Sequence, residues 1–156
     1  MSNNAKQAVI DSLNIILRNE LMAINQYFLH AKVLEDQGFA KLAATTKAES
    51  IDEMRHADII ISRILFLNGS PKMNDYKNMV IGETVEEMLK SDLNLEINAI
   101  ADLNEAIAIA IGSGDIGTKD LLEKILISEE VHFEFLETQL SLIDHVGLQN
   151  YLTTQI

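Results

Sequence analysis

Apolar residues recur every three or four positions through Val9, Leu13, Leu17, Ile24, Phe28, Ala31 and Leu34. That is the spacing of one helical face, and it stops at Glu35-Asp36-Gln37-Gly38, so a first helix is predicted over roughly residues 5–36. A second pattern runs through Leu42, Ala43, Ile51, Ile59, Ile60, Ile64 and Leu67 and ends at Asn68-Gly69-Ser70-Pro71. Thr84 with Glu87 forms a capping box, which opens a third helix carrying Val85, Met88, Leu89, Leu93, Ala99, Ile100, Leu103 and Ile107 and closing at Gly112-Ser113-Gly114-Asp115. A fourth pattern, Leu122, Ile125, Leu126, Phe133, Leu136, Leu140 and Ile143, reaches Gly147. The last segment, Leu148 to Ile156, has room for one or two more turns.

Helices of about 28 residues at ~1.5 Å per residue span on the order of 40 Å and bury their stripes only by lying side by side. The expected fold is therefore an all-α four-helix bundle. The short turns at 35–38 and 112–115 make two antiparallel hairpins, and residues 68–82 are long enough to cross between their ends. With 156 residues, the chain is expected to form one domain, residues 1–156, with a short fifth helix at its end.

The apolar stripes are interrupted by charge. Glu20 shares a face with Leu13, Leu17, Ile24 and Tyr27, and Glu96 lies among Leu93, Ala99, Ile100 and Leu103. Helix two carries Glu53 and His56, helix four Glu129 and His132, each pair three apart and thus on one side of its helix. The two halves echo one another: Glu96, Glu129 and His132 each lie 76 positions after Glu20, Glu53 and His56, and Glu20-Leu-Met-Ala-Ile parallels Glu96-Ile-Asn-Ala-Ile. An ionised carboxylate in a bundle core must take up a proton or meet cations. Few basic side chains are placed to pair with these glutamates, since Arg18, Lys32, Lys90 and Lys124 lie off these faces. One Glu from each of two helices and a Glu-x-x-His from each of the other two is the ligand set of a di-iron carboxylate bundle. Four carboxylates offset two divalent cations, and the mixed oxygen and nitrogen set suits iron or manganese. Glu53 and Glu129 are expected to ligate with His56 and His132, with Glu20 and Glu96 completing or bridging the pair.

Composition narrows the chemistry further. The chain has no cysteine, which excludes disulfides, thiolate metal sites and cysteine nucleophiles. Its formal charge of −12 and scattered Lys and Arg argue against nucleic acid and favour attraction of cations. The longest nearly uncharged stretch, Ala106 to Gly114, is too short to span a bilayer. No signal-like layout opens the chain, so a cytoplasmic, soluble protein without membrane partners is expected.

Around the predicted ligands, Asp52 and Arg55 are expected on outward faces, and Glu49, one turn before Glu53, either near the ligands or exposed. Met54 is turned ~100° from Glu53 and so faces away from the metals; on pattern alone it is an apolar contact residue. Tyr27, two turns beyond Glu20, either holds a carboxylate or supplies an electron, or is a core aromatic with a hydrogen-bonded hydroxyl.

The strings Asn19-Glu-Leu-Met-Ala-Ile-Asn-Gln-Tyr-Phe-Leu-His-Ala-Lys32, Glu49-Ser-Ile-Asp-Glu-Met-Arg-His-Ala-Asp58, Ser91-Asp-Leu-Asn-Leu-Glu-Ile-Asn-Ala-Ile100 and Ser128-Glu-Glu-Val-His132 resemble the bacterioferritins, the haem-binding branch of the ferritin family. The likeness covers the whole chain, with ligands and Glu-Met-x-His in register. It implies a homo-oligomeric shell of twenty-four subunits built from dimers, storing ferric mineral, with a ferroxidase centre of two irons in each subunit. It also implies haem b shared between two subunits with Met54 from each as axial ligand, and an iron–sulfur ferredoxin as reductant. The chain departs from the family where a Tyr-His-Glu-Ser context serves an additional iron site on the cavity face: here the residues are Lys47-Ala48-Glu49-Ser50, although Asp52 is kept. A di-iron peroxidase or dimanganese catalase that stores nothing is the competing reading.

Overall fold

The computed structural model describes residues 1–74 and 77–156. Asp75 and Tyr76, within the crossover expected from the sequence, lie outside the described residues. Four long helices, α1 (Asn3–Asp36), α2 (Ala40–Phe66), α3 (Val85–Gly112) and α4 (Ile116–Val146), precede a short α5 (Leu148–Thr153). Helix α1 packs on α2 and α3, and α4 packs on α3, α2 and α5, the pairing expected of two hairpins joined by a crossover.

The caps explain the boundaries. Thr84 Oγ1 accepts from Glu87 N at 3.2 Å while Glu87 Oε2 accepts from Thr84 N at 3.2 Å, the reciprocal box expected from the sequence. Helix α4 begins six residues earlier than its first apolar stripe position. Asp115 is the reason: its carboxylate accepts from Thr118 N at 3.0 Å, Thr118 Oγ1 at 2.6 Å and Arg63 Nη2 at 2.6 Å, so it both caps α4 and ties it to α2. Asp115→Ala is expected to destabilise the fold by about 2 kcal/mol, the loss of a cap plus a charge-assisted bond, read as a lower urea midpoint of the metal-free protein. An unchanged midpoint would assign the join elsewhere.

At the end of α2 the left-handed position is taken by Asn68, at φ 58°, and not by the following glycine. Gly69 is needed for proximity instead: a Cβ there would lie 2.8 Å from Ile10 Cγ2. Asn14 then secures the departing chain, donating to Ser70 O at 3.2 Å and accepting from Lys72 N at 2.8 Å. At the far end Tyr151 is buried and donates to Gln139 Oε1 at 2.9 Å, while Lys41 N donates to Gln155 O at 3.0 Å. The tail is thus fastened to α4 and α2 of its own chain.

Among the described residues the bundle has two apolar cores. One gathers Val9, Leu13 and Leu17 with Ile60, Ile64, Leu103, Leu122 and Ile125; the other gathers Leu34, Leu42, Met88, Leu89, Leu136, Ile143 and Tyr151. On every long helix the charged residues of the echo fall between the two. Phe28, Ile51 and Ile59, counted in the helical stripes, are 54%, 42% and 43% exposed. Ile51 stands two residues from Glu53, ~200° around the helix, so once Glu53 faces inward Ile51 must face out. Among the described residues no helix is long and apolar enough to cross a membrane.

Candidate metal centre

All six residues of the echo meet in the gap between the two cores. Glu20, Glu53, Glu96 and Glu129 are 1–2% exposed, His132 is 4% and His56 is 8%. Their donor atoms form two groups, Glu20, Glu53, His56 and Glu129 on one side and Glu53, Glu96, Glu129 and His132 on the other, each within 4.8 Å. Glu53 and Glu129 are common to both. The shared carboxylates are therefore those of the Glu-x-x-His pairs, while Glu20 and Glu96 each stand at one end.

The imidazoles mirror this arrangement. His56 Nδ1 lies 3.0 Å from Glu129 Oε1, 3.2 Å from Glu53 Oε2 and 3.5 Å from Glu20 Oε2. His132 Nδ1 lies 2.9 Å from Glu53 Oε1, 3.3 Å from Glu129 Oε2 and 3.7 Å from Glu96 Oε1. Both rings thus offer Nδ1 to the carboxylates, with ring centres 6.5 Å apart. Glu20 Oε1 and Glu96 Oε2 are buried with no hydrogen-bond donor among the described residues. Such acceptors are costly unless a cation or proton reaches them.

Tyr27 is fully buried and its hydroxyl donates to Glu96 Oε1, so it does hold a carboxylate. Met54 is 58% exposed on the outer face of α2 and takes no part in the cluster. Asp52 is not simply outward: its Oδ1 accepts from Arg55 Nη1 at 2.7 Å, and its Oδ2 lies 3.3 Å from His132 Nε2. Glu49 is 5% exposed, with Oε2 unpartnered. A further buried network was not foreseen. His30 Nε2 accepts from Gly82 N at 3.1 Å, so Nδ1 carries the ring hydrogen and donates to Asp92 Oδ1 at 2.8 Å; Gln26 Nε2 also donates to Asp92, at 2.9 Å. The signal was available, since Asp92 stands one turn before Glu96 on the same face.

Burial, followed by repulsion from Glu53, Glu129 and Glu96, drives the Glu20 pKa well up. Burial is also the main reason that Glu96 and Glu49 are pushed up to about 8. Burial opposes ionisation of Glu53 as well, but hydrogen bonds from Glu20, His132 and His56 outweigh it and hold this carboxyl at about 2. For His56, desolvation is overcome by Glu129 and Glu53, which raise it to about 9, and His132 is raised in the same way.

The sign of the pH dependence follows. Glu49, Glu96 and His56 hold their protons more tightly folded than unfolded, so their stabilisation is complete below the unfolded values near 4.5 and 6.5 and is lost as pH rises through about 8 to 9. Within the cluster Glu53 opposes this, and its window lies between 4.5 and about 2, an acid range that Glu35, Asp115 and Asp120, also lowered, share in direction. The metal-free protein is expected to melt at a lower temperature at pH 9 than at pH 5. Divalent cations should reverse the trend and displace protons near neutral pH. A pH-stat trace without proton release on anaerobic Zn²⁺ addition would contradict the protonated cluster.

A sequence profile described as a ferritin-like domain matches residues 10–146. A Streptomyces coelicolor protein named bacterioferritin is 45% identical over 148 residues, covering 95% of this chain and 89% of that one. The chain belongs to the bacterioferritin family. A Synechocystis protein named bacterial ferritin is 44% identical over 152 residues, 97% of each chain, and a Rhodobacter capsulatus bacterioferritin is 45% identical over 151 residues, 97% of this chain and 92% of that one. Family membership assigns the chain to iron storage, and the buried carboxylate–imidazole cluster is chemically compatible with a di-iron site.

Proposed function

We propose that residues 1–156 act as one ferroxidase unit, which oxidises Fe²⁺ at the cluster and passes Fe³⁺ to a mineral stored inside a multi-subunit shell. The observation that carries this reading is the sharing of Glu53 and Glu129 between two ligand groups inside an otherwise apolar bundle. Two Fe²⁺ ions would be held by His56 and Glu20 on one side and by His132 and Glu96 on the other, with Glu53 and Glu129 between them. Each ion gives up one electron. With peroxide as oxidant the two electrons and two protons convert H₂O₂ to two waters; with dioxygen they yield H₂O₂. Glu20, Glu96, His56 and His132 release their protons to solvent on binding cations, and solvent supplies the two protons that the oxidant takes up. Tyr27 holds the Glu96 carboxylate and fixes its free oxygen toward the second position. Fe³⁺ leaves past Asp52, the half-exposed carboxylate in contact with His132.

Haem fits the outer face of α2. Met54 presents an unburied thioether, with Ile51 exposed one turn earlier and Phe28 and Leu29 exposed on α1. Met54 from each of two subunits would hold a haem across a two-fold axis, where the haem supplies a one-electron carrier between an iron–sulfur ferredoxin and the stored iron. The twenty-four-subunit shell and a cytoplasmic location belong to the same proposal. Size-exclusion chromatography with iron and haem absorbance recorded on one peak tests it. A shell of several hundred kilodaltons carrying both is expected; a dimer without stored iron would favour a non-storing peroxidase or catalase.

A further inference from the structure

Beside the metal cluster, the seam between α1 and α3 is crossed by two adjoining rungs of buried polar contacts. In the first, the Tyr27 hydroxyl donates to Glu96 Oε1; in the second, one turn along each helix, His30 Nδ1 donates to Asp92 Oδ1 at 2.8 Å. Gln26 Nε2 reinforces the second rung, donating to the same Asp92 oxygen at 2.9 Å and to Ser91 Oγ at 3.1 Å. The rungs touch, because the Tyr27 hydroxyl also stands 3.5 Å from the Asp92 carbonyl oxygen. Gln26, Tyr27 and His30 are fully buried and Asp92 is nearly so.

The end of the crossover locks this arrangement. Gly82 N donates to His30 Nε2 at 3.1 Å, which leaves the ring hydrogen on Nδ1, where Asp92 receives it. A Cβ at Gly82 would lie 2.3 Å from Met88 N, so only glycine lets the chain come this close to the start of α3. Ser91 Oγ donates to Val80 O and holds the approach. With both His30 nitrogens engaged and the buried Asp92 carboxylate accepting two bonds, the network has one arrangement, and it fixes the height of α3 against α1.

Among the described residues the other end of the cluster has no such device. The counterparts of Tyr27, His30 and Asp92, 76 positions away, are Leu103, Ala106 and Ile16, all buried and apolar. Glu20 Oε1 accordingly has no donor, while Glu96 Oε1 has the Tyr27 hydroxyl.

We infer that His30 and Asp92 are positioning residues for the Glu96–His132 metal position. By fixing α1 against α3 they keep the Tyr27 hydroxyl on Glu96 and preset that carboxylate for a cation, a service the Glu20–His56 position does without. The inference rests on the reading of the cluster as two metal positions.

Each position can be read alone, since Glu20→Gln leaves the Glu96–His132 position and Glu96→Gln leaves the Glu20–His56 position. His30→Leu/Asp92→Leu, placed in each background, removes both members of the pair and strands no buried charge. In anaerobic Co²⁺ titrations this change should raise Kd about tenfold in the Glu20→Gln background, the low end for supporting residues around a metal, and by less than about twofold in the Glu96→Gln background. His30→Asn, whose Nδ2 takes the place of Nδ1 and donates to Asp92, should restore the affinity. In Glu20→Gln protein that also carries Tyr27→Phe, the leucine pair should have no further effect, because the positioning acts through that hydroxyl. If far-UV circular dichroism shows that the leucine pair does not fold, Asp92→Asn decides: it keeps the shape, removes the charge that strengthens both bonds, and should weaken the Glu96–His132 position alone by about threefold. Equal weakening of the two positions, no weakening of either, or an undiminished further loss in Tyr27→Phe would overturn the assignment. Wild-type protein that binds no Co²⁺ would instead overturn the two-position reading.

Discussion

Glutamine in place of Glu129 is expected to abolish both metal positions, whereas glutamine in place of Glu20 should abolish one. The distinction comes from the shared membership of the two ligand groups: Glu129 and Glu53 belong to both, Glu20 and Glu96 to one each. Glutamine keeps the shape and removes the charge, and an amide is a poor substitute for a carboxylate placed between two cations. The packing around Glu129 should survive, because the residue is buried between two separate apolar cores that carry the fold. Anaerobic Co²⁺ titration should therefore give two ions per subunit for wild type, one for Glu20→Gln and none for Glu129→Gln. Fe²⁺ oxidation should fall by more than ~100-fold in Glu129→Gln, since even supporting residues around a metal are worth 10–100-fold. Equal stoichiometry in the two variants would show that Glu129 does not stand between the positions.

The 76-residue echo explains which parts of the site were legible. It identifies the six residues that both halves need, because a pair of similar metal positions requires the same ligands twice. What it hides is everything that makes the two positions unlike. The counterpart of Tyr27 is Leu103, that of His30 is Ala106, that of Asp92 is Ile16, that of Glu49 is Ile125 and that of Asp52 is Ser128. Glu96 consequently has a tyrosine hydroxyl on one oxygen while Glu20 Oε1 has nothing, and only His132 touches an exposed-side carboxylate. Helical spacing placed Tyr27 and Glu49 near the ligands but left the role of each open, and it gave no sign of the partners that other helices bring to His30, Asp92 and Asp52. The same limit applies to helix boundaries. Thr84 with Glu87 is a local motif and was found, but the role of Asp115 depends on Arg63, 52 positions away. The interrupted stripe was the most informative pattern: carboxylates sit at the same level of all four helices because that is the one level at which neither apolar core is built.

Met54→Leu and His56→Ala should have opposite consequences although they alter the same turn of α2. Met54 is 58% exposed, while His56 is 8% exposed and within 3.0 Å of Glu129. Leucine nearly conserves the volume of methionine, and at an outward position it should leave both folding and the dinuclear site intact. It removes the thioether, the soft donor proposed for haem, so haem absorbance per subunit should fall to near background while Fe²⁺ oxidation proceeds at close to the wild-type rate. His56→Ala deletes one of the two imidazoles and leaves Glu53 and Glu129 with fewer donors to offset their burial. Rapid oxidation should be lost and Co²⁺ stoichiometry should drop, while haem stays bound at the outer face. Purifying both variants with iron and haem supplied, and recording absorbance and oxidation rate for each, separates the two functions. If Met54→Leu keeps full haem, the thioether is not the ligand and the exposed apolar face of α2 serves subunit contact alone. If Met54→Leu loses oxidation as completely as His56→Ala, the two faces are coupled, and the division of α2 into an inner metal side and an outer haem side is wrong.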